Sequence, residues 1–448
     1  MDQFVRGDIR TAARGEWFFD QIVSLGTLIV KDFGDGRAGE MAAHRFLSSP
    51  YVTTQGMLEV FGSRTGRACA GRRIVAAQDT TAISFAGKSA GRAGLGPGGD
   101  GAQAGFFIHA VVAVDADDEA LLGVVGARIW TREPQLSAHR GKRPLEDKES
   151  RRWNEGAVIA AEQLGSASQV VVVVADQEAD IYSHFAQRPA GVELLVRARH
   201  DRGLEGGGTL FDASASWPVH TEVLVAVAPR GPGDKGRVAQ VSIRSSPVTV
   251  TKPKASKDDH PASLALGLVE VCELNPPAGT KPLLWRLMTT LPVDGPEAAE
   301  EVVRLYRLRW RIEEVFRALK SDGLRLEETQ IRDPVRVFRL AAMALAAAAR
   351  IIQLVDARDG GSRPMDDVLD SDLAPALEAI GRSREGGTVR QQNPHPQGSL
   401  ARLAWVVARY GGWNCYGKPP GPKTMAKGWQ RFSATLAGYL IATAKADV

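Results

Sequence analysis

Residues 169–176, QVVVVVAD, constrain the fold more than any other stretch of the chain. Six apolar residues in a row, with no polar alternation, suit a strand buried on both faces, as in a parallel sheet covered by helices. The run stops abruptly at Asp176, which puts a carboxylate at the carboxyl end of that strand. Open α/β sheets bind their ligands along that edge. The surrounding segments agree with this reading. RIVAAQDTTAISF (73–85) reads as a strand with Asp79 inside it, and FFIHAVVAVD (106–115) and ALLGVVGARIW (120–130) as a strand pair. SRRWNEGAVIAAEQLG (150–165) and QEADIYSHFAQ (177–187) read as helices, VELLVRAR (192–199) and LLWRLMTTL (283–291) as further strands. The expected core is a mixed α/β sheet with helices on both faces.

At 448 residues the chain exceeds one ordinary hydrophobic core. Residues 1–70 read as mainly helical, and RGDIRTAAR places Arg6, Arg10 and Arg14 at i, i+4 and i+8, either a DNA-facing edge or a solvated face. Residues 203–280, rich in Gly, Pro, Ser, Val and Thr, read as a β-rich insertion, too long for a plain loop. Helices are expected at 334–356, 364–381, 399–411 and 424–445, with a polar linker at 383–397. The domain reading is therefore a helical region over 1–70, an α/β core over 71–330 and a helical region over 331–448.

The most informative helix is expected within 296–320, where 302–320 (VVRLYRLRWRIEEVFRALK) carries no Gly or Pro. On a wheel of about 100° per residue, Leu305, Leu308, Ile312, Val315, Phe316 and Leu319 form a core-facing stripe. Tyr306, Arg309, Glu313 and Lys320 fall together at the edge of that stripe, flanked by Trp310 and Arg317, while Glu314 points to the solvent side. Cations around one carboxylate suit a polyanion held beside a metal ligand; the plainer alternative is a salt-bridged surface helix.

Other readings fall away. A formal net charge of +4 permits nucleic-acid binding without demanding it. Three scattered cysteines make neither a disulfide framework nor a zinc cluster and fit a reducing cytosol. No apolar run reaches the ~18 residues of a membrane span, and MDQFVRGDIR lacks the apolar core of a secretory signal. Gly87-Lys88-Ser89-Ala90-Gly91 matches a nucleophile elbow, but the Gly-rich residues after it cannot form the helix such an elbow needs. His109, alone in a strand, reads as a hydrogen-bonded structural residue.

Asp79, Asp176 and Glu313 would repel one another if brought together, raising one another's pKa values. A divalent cation removes that penalty, and oxygen ligands without His or Cys select Mg²⁺ or Mn²⁺ over zinc. From the residues alone, two aspartates in or after strands stay ambiguous between ligands and structural groups.

VAAQDTTAIS, VVADQEADIY and YRLRWRIEEVFRALK, in that order and with a β-rich segment before the last, resemble the bacterial cut-and-paste DDE transposases of the insertion-sequence-four family. Y-x2-R-x3-E-x6-K is a specific signature of that family. GDIR with AHRFL, KESRRW (148–153), LLWRLMTT (283–290) and GSLARLAWVVARYGGW (398–413) extend the likeness nearly end to end. The resemblance implies a ribonuclease-H-like core, an N-terminal domain that binds transposon ends and a C-terminal helical dimerisation region. It implies Asp79, Asp176 and Glu313 as the catalytic, metal-binding triad for Mg²⁺ or Mn²⁺. It implies that Tyr306, Arg309, Lys320 and Arg197 contact the DNA end and that Trp285 receives a flipped base during hairpin formation. A core Trp in a strand is the competing reading of Trp285. The implied partners are double-stranded DNA, both terminal inverted repeats and target, and a second copy of the chain. The implied location is the bacterial cytoplasm, on nucleoid DNA. Two departures stand out: Gln177 where a member of the family has a cation, and Thr11 and Gly15 where leucines are usual. A DNA-end-binding regulator without transposition, and a plain ribonuclease-H-like nuclease, are the alternative functions.

Overall fold

The computed structural model describes residues 9–444 except 35, 86–91, 100, 102, 133–150, 228–235, 257 and 322. Arg6, the Gly87–Gly91 match and the first half of KESRRW lie outside the described residues. The chain opens with three helices, α1 (Ile9–Leu25), α2 (Arg37–Ser48) and α3 (Thr54–Ala68), then strands β1 (Arg73–Ser84), β2 (Gly105–Asp115) and β3 (Leu121–Trp130). The middle comprises α4 (Arg151–Leu164), β4 (Val170–Ala175), α5 (Tyr182–Ala186), β5 (Glu193–Arg197), α6 (Leu210–Ser216), β6 (Thr221–Val227), β7 (Arg237–Thr251), β8 (Ser263–Glu273) and β9 (Leu284–Thr289). Six helices close the chain: α7 (Pro296–Arg307), α8 (Trp310–Lys320), α9 (Pro334–Ala357), α10 (Ala374–Arg382), α11 (Leu400–Tyr410) and α12 (Pro422–Ala444). The result is a mixed α/β protein with a large mixed sheet and helices toward both ends of the chain.

Two compact units make up this chain. A helical unit comprises Met1–Ala70, Thr80–Ala138 and Arg311–Val448; a sheet unit comprises Gly71–Asp79 and His139–Trp310. In the sheet unit the strand order is β1-β4-β5-β9-β8-β7-β6. The valine strand β4 lies between β1 and β5, parallel to both, which is why its continuous apolar run is needed. From β9 outward the pairing is antiparallel. The expected insertion thus supplies strands β6 to β8, which extend the same sheet. RVAQVSI and PVTVT, expected as separate short runs, form the single strand β7, with Pro247 opposite Gly267. Trp285 and Arg286, adjacent on β9, point to opposite faces. Trp285 packs on Tyr306 of α7. Arg286 lies over Phe211 of α6 and joins Arg244 and Ser214 around the buried Glu270 carboxylate.

In the helical unit α9 is the axis: seventeen of its twenty-four residues are buried, including an unbroken run from Arg339 to Ala349. It is long and apolar enough to span a membrane, beyond what the sequence reading allowed, but 89% of its apolar window is buried within the protein. Two of its buried polar side chains reach across the unit, Arg339 donating through Nη1 to the Leu47 carbonyl and Gln353 to that of Leu122. Helix α1 forms despite Thr11 and Gly15, both of which are buried on its core face with Phe18, Phe19 and Ile22. His109 is buried and bonded to Thr80 Oγ1, as a structural histidine should be. α11 packs back onto this unit along most of its length, and α12 does so through Met425, Trp429, Phe432 and Leu436.

The segment after β4 is not one helix. Asp176 caps a single 3₁₀ turn at Gln177–Ala179, the chain turns at Asp180, and only Tyr182–Ala186 is α-helical. His184 on α5 is fully buried, its Nδ1 donating to Asn154 Oδ1 at 3.0 Å while Nε2 has no partner among the described residues. Burial pushes its pKa down from 6.5 to about 4. Between those values the unfolded chain binds more protons than the folded one, so stability falls as the pH drops through that window. The full loss is about 3 kcal/mol below pH 4. Urea melts from pH 7 to pH 4.5 should show a decline that is flatter in His184→Gln than in the unmodified protein.

Candidate active site

The parallel register sets the site. Ala77 of β1 pairs with Val174 of β4, and Ala175 of β4 with Val196 of β5. Continuing the same register brings Asp79 level with Asp176, and Asp176 level with Arg197. Level residues on parallel neighbours face the same side, with strands about 4.8 Å apart. Arg197 is in turn opposite Leu287 of β9, so Trp285, two residues away, shares that face. One row, at the carboxyl ends of β4 and β5 and level with the middle of β1, therefore carries two carboxylates and a guanidinium.

Helix α7 brings the rest of this face. It starts at Pro296 after Gly295 and is tied to the sheet by Glu301, which pairs with Arg73 at 2.5 Å and Arg304 at 2.7 Å. Its last turn carries Tyr306, only 6% exposed, whose ring meets Trp285 edge to face at 5.4 Å between centroids. Burial raises the Tyr306 pKa from its ordinary value, against the pull of Arg309 and Arg197 and with Asp176 adding to the rise. The phenol thus stays protonated and can donate a hydrogen bond. Arg309 reaches Asp79, Nη1 to Oδ2 at 3.0 Å. Arg197 also donates to the Leu284 carbonyl at 3.0 Å, and Asp176 Oδ1 accepts the Glu178 amide at 2.8 Å. Asp79, Asp176, Arg197, Trp285, Tyr306 and Arg309 are brought together within the sheet unit.

The expected single helix over 296–320 is broken. Leu308 and Arg309 form a turn in which their amides bond back three residues, to Leu305 and Tyr306, instead of four. The wheel drawn across the whole stretch therefore holds only within each half. Inside α8, Glu313, Arg317 and Lys320 still share a side, within about 60°. These three belong to the helical unit, while Tyr306, Arg309 and Trp310 belong to the sheet unit. Glu313 is half-buried in the first turn of α8, Arg317 is exposed, and Lys320 donates to the Ala82 carbonyl at 2.8 Å. Trp310 is 42% exposed. Glu314 does not face open solvent. It pairs with Arg311, which also binds Asp356, and burial raises its pKa. A helical wheel has no means of showing that α9 supplies an acid at that position.

Two site-shaping residues went unnoticed in the sequence. Asp180, completely buried, accepts the amides of Arg199 and His200 at 2.7 and 2.8 Å and binds the guanidinium of Arg202. It ties the segment after β4 to the segment after β5, the two that follow Asp176 and Arg197. The second acid of ADQEAD, four residues after Asp176, was the only available signal.

Among the described residues, no group of three or more His, Cys, Asp and Glu side chains is gathered to hold a metal ion. Two carboxylates suffice for a hard divalent ion such as Mg²⁺, which commonly takes one or two from the protein and the remaining ligands from water and substrate phosphate. Asp79 and Asp176 fit that description, and the Arg309 guanidinium already marks a place for positive charge at Asp79.

Residues 132–350 match the family model described as the transposase DDE domain. The matched span begins beyond Asp79 and includes Asp176, Arg197, Trp285 and the whole of α7 and α8. It supports a DDE transposase, and the mixed sheet with helices at both ends is consistent with the ribonuclease-H-like fold of such enzymes. Proteins with this domain generally use divalent metals and act on DNA.

Removing the Asp180 carboxylate would leave Arg202 charged and unpaired in the interior. Asp180→Ala should cost about 3–5 kcal/mol in urea unfolding, whereas Asp180→Leu with Arg202→Met should recover the part due to the unpaired guanidinium but not the part due to the amides of Arg199 and His200.

Proposed function

We propose that this chain, with a transposase DDE domain at its centre, catalyses cut-and-paste DNA transposition as a member of the insertion-sequence-four family. The observation that carries this reading is the common level of Asp79 and Asp176 on neighbouring parallel strands, with Arg197, Tyr306, Arg309 and Trp285 around them. In this reading Asp79, Asp176 and Glu313 hold Mg²⁺ or Mn²⁺. The bound metal supplies activation of the attacking oxygen and stabilisation of the oxygen leaving phosphorus. Arg197, Arg309 and Lys320 hold the phosphates of the transposon end, and the neutral Tyr306 hydroxyl donates to one of them. Trp285, half-buried against Tyr306, offers an indole face to an unstacked base, and such stacking returns about 1–3 kcal/mol of the unstacking cost. Exposed Trp310 and Arg317 extend the contact along the DNA. The order of events would be nicking by water, hairpin formation by the freed 3′-hydroxyl, hairpin opening and joining to target.

The cleavage test uses a duplex carrying the repeats that flank the gene. Asp79→Asn, Asp176→Asn and Glu313→Gln should each lower cutting by at least about 10³-fold while retaining end binding, because the phosphates are held by other residues. Glu162→Gln, on the exposed side of α4, serves as the control. Wild-type cutting by Glu313→Gln would remove that residue from the site. Binding without any cutting by the unmodified chain would favour the regulator reading.

The dimer proposal rests on the end of α12. Leu440 and Ile441 are exposed there, beyond the residues that pack onto the helical unit. Leu440→Asp with Ile441→Asp should leave single-end binding intact and abolish the two-end complex in gel shifts with ends of two lengths. Unchanged pairing of long with short ends would place the contact elsewhere. Deleting all of 399–448 is a poorer test, since α11 is largely core.

A further inference from the structure

We infer that Arg309 is a resting lock on the metal site, an internal cation that occupies Asp79 until a DNA phosphate draws it away. The inference rests on the proposed role of Asp79 and Asp176 as metal-holding carboxylates. The Nη1 to Oδ2 distance is 3.0 Å, and the two side chains are only 14% and 20% exposed, so the pair is poorly screened by solvent. A guanidinium and a divalent ion compete for the same carboxylate, since each repels the other and each needs the same oxygens.

The placement of Arg309 suits exchange. It sits in the two-residue turn between α7 and α8, where its side chain can swing while α7 stays tied to the sheet through Glu301 and Arg73. Arg197 and Tyr306 stand beside it, so a phosphate arriving at this face meets further donors and can take the guanidinium in a bidentate pair. Asp79 is then released at the moment a phosphate is present to complete the coordination of a hard ion. Because coupling between two ligands is reciprocal, metal and DNA each raise the affinity of the other. The free protein keeps its metal site shut, which withholds nicking from DNA that is not seated on this face.

The test uses the full chain without DNA and Mn²⁺ alone, with free Mn²⁺ counted by electron paramagnetic resonance. Arg309→Gln should bind Mn²⁺ about tenfold more tightly than the unmodified chain, within the usual range of such couplings. Arg309→Lys, which keeps the charge, should remain weak, and Arg197→Gln should change the affinity far less. Adding Asp79→Asn to Arg309→Gln should erase the gain. Equal affinity of Arg309→Gln and the unmodified chain, with Asp79→Asn weakening both, overturns the lock and leaves the metal role of Asp79 standing. An equal gain from Arg197→Gln also overturns it, since general charge would then explain the effect. Indifference of Mn²⁺ binding to Asp79→Asn overturns the metal reading and the lock together. A second measurement needs no change at Arg309. A short duplex should raise the Mn²⁺ bound by the unmodified chain above the sum for chain and duplex alone, and should fail to do so in Asp79→Asn. Simple additivity overturns the lock.

Discussion

Parallel pairing of β4 with β1 on one side and β5 on the other is the constraint on which the site depends. In parallel strands, level residues share a face, so a single register decides whether two acids meet or point apart. A slip of one residue would turn Asp176 to the other side of the sheet from Asp79. The five consecutive valines make β4 indifferent to which face is which, so they cannot set that register themselves. The buried Asp180–Arg202 pair lies just past the strand ends and accepts two backbone amides from the following loop, a fixed anchor where the apolar run offers none.

Around that row the formal charges cancel, but hydrogen-bond donors are plentiful. Arg197, Arg309 and a protonated Tyr306 face two carboxylates. Elsewhere the sheet unit holds its buried acids directly on guanidinium groups: Glu270 sits between Arg244 and Arg286, Glu273 beside Arg237, and Asp180 on Arg202. Donors in excess of the formal charge at one edge suit a ligand rich in acceptor oxygens.

Most strands were legible because their apolar patterns were either alternating or continuous; β1, β2, β3, β4 and β5 fall where the sequence places them. Asp79 and Asp176 were legible as acids in apolar strands, but their common level was not, since register is a property of two strands. Three features escaped for local reasons. The turn at Leu308 and Arg309 contains no Gly or Pro, and the three-residue backbone bonds that break the helix leave no compositional trace. The surroundings of Glu314 depend on Arg311 and Asp356, the latter on a helix whose packing the wheel cannot see. The continuity of β7 runs through Pro247, a residue that ordinarily argues against a strand interior, opposite the small Gly267.

Among the described residues the sheet ends at β6, whose outer edge carries no further strand. The strands from β9 to β6 follow the chemistry-bearing row in space and pair antiparallel. That makes the β6 side a growing point. Whole hairpins can be added or lost there without shifting β1 against β4, because the register of one pair of strands is blind to how many more lie beyond. Lineages of this architecture are therefore free to remodel how broadly the protein embraces its ligand while the row of acids stays fixed. Variation in chain length should concentrate at that margin of the sheet.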